Sequence, residues 1–143
     1  MKLLLDTCVI SEYIKSKPNL EVIAWLDNQR KNDLFVSAIS IAEIKKGIFK
    51  VRKFDVQRYE KLAQWLVCVE EQFLGRILPV NNIVLTTWAE INGESESNGK
   101  KLAIMDSFIA ATAIAYQMKV VTRNEQDFKF IPVEIINPWS FCS

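Results

Sequence analysis

A chain of 143 residues, half hydrophobic and a quarter charged, suits one globular domain with a real core. The formal net charge is +1, so any nucleic-acid partner must be held by local patches and not by bulk charge. There is no histidine, which closes Ser-His-Asp and Cys-His catalysis and histidine metal ligation, and leaves carboxylates as the available chemical groups.

Lys2 to Leu5 is a short apolar run bounded by Asp6-Thr7 and reads as a buried strand. Cys8 to Ile14 can be helical until Lys17-Pro18-Asn19 breaks it, and Leu20 to Asn28 is a second short helix. Leu34 to Ile39 is the next strand. After it Ile41, Ile44, Ile48 and Val51 recur at helical steps, with Lys45, Lys46, Lys50, Arg52 and Lys53 between them. Val56 to Phe73 is a longer helix; Phe54, Tyr59, Trp65 and Phe73 are expected to pack the core. Ile77 to Val80 contains Pro79, which suits an edge strand. Asn82 to about Ser97 is helical, with Ile83, Val84, Trp88 and Ile91 expected inward, and Asn98 to Lys101 is a turn.

The stretch from Leu102 to Phe128 has Asp106 at the head of an Ala-rich helix. A break at Gln117-Met118-Lys119 leads to the strand Val120-Val121-Thr122, and the polar cluster Arg123 to Asp127 follows. Pro132 to Ile136 is a last strand. Strands alternating with helices predict a small parallel sheet with helices on both faces, in a single domain spanning 1–143.

Each acid has a structural explanation when taken alone. Asp6 is placed to cap a helix. Glu43 stands three residues after Ser40, the capping-box spacing. Asp106 suits a helix N-terminus, and Asn124 and Asp127 are common turn residues. Their conjunction is less easily explained, because all fall where a strand exits or the next helix starts, and in a parallel sheet those ends lie on one side. Carboxylates gathered there repel, and a divalent cation such as Mg²⁺ resolves the conflict in a way that suits phosphodiester cleavage. Thr7 and Thr122 offer hydroxyls beside the acids. Gly47, one turn after Glu43, leaves space or serves close packing. The basic residues from Lys45 to Lys53, with Arg123, either track a nucleic-acid backbone or form a solvated helix face.

LLLDTCVISE, SAISIAEIKKG, MDSFIAATA and VVTRNEQDF, in this order, resemble the PIN-domain ribonucleases, and in particular the toxins of VapBC-type toxin–antitoxin pairs. GRILPV and NPW are similar to the FitB-like branch. The resemblance implies a three-layer α/β fold and Mg²⁺- or Mn²⁺-dependent endoribonuclease activity. It also implies a cognate antitoxin that blocks the site, a homodimer, and assembly with the antitoxin on operator DNA. By motif position it assigns Asp6, Glu43 and Asp106 to an acidic triad and Thr122 to a hydroxyl position. It puts Asn124 where many relatives carry Asp, with Asp127 able to compensate. Lys45, Lys46 and Arg123 are the candidate RNA contacts.

A second reading is a PIN-like RNA-binding or regulatory module that has lost turnover and acts mainly with its antitoxin, with Asn124 as the symptom. Haloacid-dehalogenase chemistry wants a second Asp two residues after the first, where Cys8 stands here. A dinucleotide site wants a glycine-rich fingerprint after a strand, and none is present. Cys8, Cys68 and Cys142 show no metal or disulfide spacing. With no apolar stretch near the roughly 18 residues of a membrane span, the expectation is a cytoplasmic protein without a targeting segment or membrane contact.

Overall fold

The computed structural model describes residues 1–141, so Cys142 lies outside the described residues. Five short strands form one sheet: β1 (Leu3–Leu5), β2 (Leu34–Ser37), β3 (Ile77–Leu78), β4 (Lys119–Val121) and β5 (Ile135–Ile136). Every pairing is parallel and the order is β3-β2-β1-β4-β5. Parallel neighbours need crossovers, and the helices supply them: α1 (Thr7–Glu12), α2 (Leu20–Asp27), α3 (Ala38–Val51), α4 (Val56–Gln72), α5 (Asn82–Ser97) and α6 (Ile104–Ala115). The expected small parallel sheet with helices on both faces is therefore what the chain builds.

The apolar run of β1 is continuous because both its faces are covered. Leu3 and Leu5 point into one core with Ile10, Leu26, Ile44 and Leu66. Leu4 points into the other with Ile109, Ala113 and Val120. The small side chains Ala110, Ala111 and Ala113, all fully buried, let α6 lie close on the sheet. Leu4, also fully buried, sits at the centre of the sheet, and its truncation to Ala would cost about 2–5 kcal/mol.

The strand order fixes where a site can form. From central β1 the chain moves outward through β2 and β3, then returns to the other side of β1 for β4 and β5. The order reverses between β1 and β4, and the crevice beyond their carboxyl ends is the natural place for a ligand. Leu5 pairs with Val121, so Asp6 and Thr122 leave the sheet side by side.

Four expectations are corrected. The second strand ends earlier than expected, and Ser37, not Ser40, caps α3 through a 3.0 Å bond from the Ile39 N–H. Ser40 is instead buried inside the helix and its hydroxyl has no partner, so Ser40 and Glu43 form no capping box. Ile83 is 65% exposed and Phe54 88% exposed; neither packs the core, whereas Tyr59, Trp65 and Phe73 do. The last strand shortens to Ile135–Ile136, because Pro132 cannot donate to a ladder. Pro79 has the expected effect: β3 stops at Leu78 and lies on the sheet edge.

Candidate active site

Asp6 is 4% exposed at the point where β1 becomes α1. Its backbone N–H donates to the Val121 carbonyl at 2.9 Å, which ties the turn to β4. One carboxylate oxygen accepts the Thr7 N–H at 2.8 Å, and the other accepts the Thr122 hydroxyl at 2.7 Å. A helix cap ordinarily bonds the second or third helical N–H, not the first. Asp6, the N-cap residue of α1, thus bonds the first N–H of that helix and the hydroxyl just past β4. Burial pushes its pKa up against the pull of the Thr122 and Thr7 bonds, and the charge of Asp127 pushes the same way.

Glu43 is reached from the neighbouring element. The Thr7 hydroxyl, in the first turn of α1, donates to its carboxylate at 2.8 Å. Two consecutive residues after β1 therefore hold the site together: Asp6 enters it, and Thr7 fixes the acid arriving on α3.

Asp106 lies in the first turn of α6, whose N-cap, Ala103, supplies no side-chain bond. Among the described residues no hydrogen bond or ion pair reaches its carboxyl group. The group is half-buried, and its pKa is raised to about 6, first by burial and then by the charges of Asp6, Asp127 and Glu43. The helix N-terminus should lower that pKa. Burial and three like charges push the other way. Asp6, Asp127 and Glu43 thus all bear on Asp106.

Asp127 sits in a short 3-10 turn, Glu125–Phe128, after β4. It is exposed, yet its charge bears on both Asp6 and Asp106. Asn124 is exposed as well. Its backbone N–H donates to the Thr122 hydroxyl at 3.0 Å, while its amide makes no cap bond. Thr122, fully buried, accepts from Asn124 and donates to Asp6, which fixes the direction of its single proton.

The candidate basic residues diverge. Lys45 pairs with Glu70 of α4 at 3.9 Å and lies about 200° around α3 from Glu43. Lys46 is only about 60° from Glu43 and has no ion pair among the described residues. The Arg123 guanidinium lies 5.6 Å from the centre of the Trp139 ring and lends charge to Glu12.

Two residues were not singled out in the sequence. The Cys8 thiol is 3.8 Å from Asp6 and 3.7 Å from Thr122; burial, with the charge of Asp6, pushes its pKa up, so it stays protonated. Its place two residues past Asp6 was the available signal. Glu12 is 2% exposed. Burial opposes its charge, but Lys15 at 2.8 Å, the Asn19 N–H at 3.1 Å and the charge of Arg123 outweigh it, and its pKa is lowered. It anchors the loop between α1 and α2, and nothing local in the sequence marks that role. A separate cleft of about 550 Å³, lined by Leu26, Trp65, Phe73 and Arg76 among others, contains none of these acids.

A metal ion fits the donor set on chemical grounds. The groups are all hard oxygens: carboxylates, hydroxyls and an amide. Among the described residues Asp106 has no donor to offset its charge. Yet among the described residues no three carboxylate or thiol groups are already gathered into a metal-ligand cluster. An ion such as Mg²⁺ or Mn²⁺ that keeps several of its waters would be held by only a few of these oxygens directly.

A parallel five-stranded sheet carrying buried Asp6, hydroxyl-pinned Glu43 and unpaired Asp106 at one end defines a class, and the PIN-domain profile matches residues 3–133: the chain belongs to the PIN-domain family. Within it the chain is similar to the Toxin FitB of Neisseria gonorrhoeae, at 38% identity over 96% of this chain and 98% of that protein. It is also similar to the VapC ribonuclease Y4jK of Sinorhizobium fredii, 34% identical over 96% of this chain and 97% of the relative. Among solved structures, FitAB bound to an IR36 DNA fragment aligns with a TM-score of 0.81 at 38% identity, covering 96% of this chain and 95% of that one.

Proposed function

We propose that this chain is the toxin of a toxin–antitoxin pair, a Mg²⁺- or Mn²⁺-dependent endoribonuclease whose acids are Asp6, Glu43 and Asp106. The observation that carries the reading is Asp106, a half-buried carboxylate with no bonded donor among the described residues, raised to about 6 by burial and by three neighbouring acids. Asp6, Asp106 and Glu43 would hold the ion, with Asp127 adding negative charge and Asn124 an uncharged oxygen. When bound, such an ion lowers the pKa of a coordinated water and offsets phosphate charge.

The chain's own residues prepare that chemistry. Thr7 and Thr122 hold Glu43 and Asp6 in fixed orientations, so little reorganisation is needed when substrate arrives. Asp106, raised to about 6 by burial and neighbouring acids, is the carboxylate whose charge a bound cation would offset most. Cys8, kept as a thiol, is not a nucleophile here.

The likeness to FitAB bound to an IR36 DNA fragment, and to VapBC2 of Rickettsia felis bound to a DNA fragment from its promoter, supports a partner antitoxin and assembly on operator DNA; a homodimer belongs to the same proposal. No helix among the described residues is long and apolar enough to cross a membrane.

The test is cleavage of a mixed RNA pool by purified protein with Mn²⁺, with EDTA, and with Asp106→Asn. Cleavage in Mn²⁺ that stops in EDTA and falls at least about a hundredfold in the variant is expected. Equal cutting by Asp106→Asn overturns the site. RNA binding without cutting in any metal favours the regulatory reading instead.

A further inference from the structure

Between Glu43 and Asp55 the chain carries five basic residues and no acid, although the whole protein is nearly neutral. Two of the five are occupied. Lys45 pairs with Glu70, and Arg52 lies over the Phe49 and Tyr59 rings at 5.4 and 5.7 Å. Lys46, Lys50 and Lys53 are exposed and have no ion pair or ring contact among the described residues.

Their positions are ordered relative to the acids. On a helix with about 3.6 residues per turn, Gly47 and Lys50 fall within about 40° of Glu43, and Lys46 within about 60°. Lys50 stands about 10 Å along the axis from Glu43, away from the sheet end. Between them Gly47 presents bare backbone, and a Cβ built there would meet nothing within 4 Å. Close packing within the chain therefore does not account for this glycine, which costs a helix interior stability. Beyond Lys50 the α3–α4 turn holds up Phe54, 88% exposed and packed against nothing that would bury it.

We propose that this face of α3 and the following turn form the docking track for a single-stranded RNA, leading away from the acid site. Lys46, Lys50 and Lys53 take successive backbone phosphates, Gly47 lets the strand approach the helix closely, and Phe54 stacks an unpaired base. The proposal deepens the endoribonuclease reading and rests on it for the identity of the strand. Charge complementarity and continuity with the acids argue for a nucleic acid. A free aromatic face argues for a single strand, since bases in a duplex are already stacked.

The experiment measures binding, not turnover. Fluorescence anisotropy of a labelled single-stranded oligoribonucleotide of mixed sequence is followed against the parent protein in EDTA, over a range of salt. Lys50→Ala and Lys53→Ala should each weaken binding and reduce the slope of log affinity against log salt by about 0.7. Phe54→Ala should weaken binding about tenfold with the slope unchanged. All three positions are exposed, and an unchanged melting temperature verifies the fold. Parent-like affinity in all three variants overturns the track. So does an equal effect of Phe54→Ala on a duplex DNA of the same length, which would assign the face to operator binding. A parent that binds RNA through these residues but never cuts it would sink the endoribonuclease reading and leave the track standing. Cutting with a KM for RNA unchanged by the three substitutions would do the reverse.

Discussion

At the residue scale, Asp106 carries the largest electrostatic imbalance of the acid site, and the sign of its pH effect follows. Its ordinary value is 3.8 and its folded value about 6, so between those values the native state binds more protons than the unfolded chain. Its contribution to stability is therefore intact below about pH 4 and is lost as pH rises through about 6. Metal-free parent should gain stability on acidification from pH 7.5 to about 5 relative to Asp106→Asn, and the variant should melt above the parent at pH 7.5. Thermal unfolding of both in EDTA checks this; parallel pH profiles would contradict it. Asp127 gives a second prediction. Its charge bears on both Asp6 and Asp106, whereas Asn124 is exposed and uncharged. Asp127→Asn should weaken Mn²⁺ binding by up to about tenfold, the effect of ~1.4 kcal/mol. Unchanged affinity would leave Asp127 an ordinary surface acid.

At the scale of elements, α3 shows how a sequence pattern can point to the wrong residue. Ser40 and Glu43 have capping-box spacing, but β2 ends at Ser37 and the helix begins at Ala38, two residues before that box. Sequence periodicity locates an amphipathic helix well and its first turn poorly, because several serines can serve as caps. The correction frees Glu43 for the site. It also predicts opposite outcomes for two serines. Ser37→Ala should cost about 1 kcal/mol through the lost cap. Ser40→Ala should be neutral or stabilising, since it removes a buried hydroxyl with no partner. Chemical denaturation separates the two, and a larger loss at Ser40 would contradict the assignment. Phe54 departs from the core for a related reason: its spacing fits a helix stripe, but α3 ends at Val51 and leaves it in the turn.

At the scale of the molecule, the parallel topology was legible because β1, β2 and β4 are apolar runs separated by helical segments. It also determined which acids could meet. The pairing of β1 with β4 brings Asp6 to Thr122 across 116 positions in sequence, and the bond from Thr7 spans 36 positions to Glu43. What the sequence could not disclose were contacts that depend on side-chain direction. These include the donor shared by Thr122, the thiol of Cys8 beside Asp6, and the burial of Glu12 beneath the α1–α2 loop. No periodic or turn signal encodes such details, which arise only once the packed elements fix each side chain's orientation.

The claim at the centre is that Asp6, Glu43 and Asp106 surround one divalent-cation site. Calorimetric titration of Mn²⁺ into metal-free parent and Asp106→Asn tests it most directly. A single binding event in the parent, weakened at least about tenfold in a variant that remains folded, is the predicted result. Equal Mn²⁺ binding by the two proteins, or no binding by the parent, would contradict it.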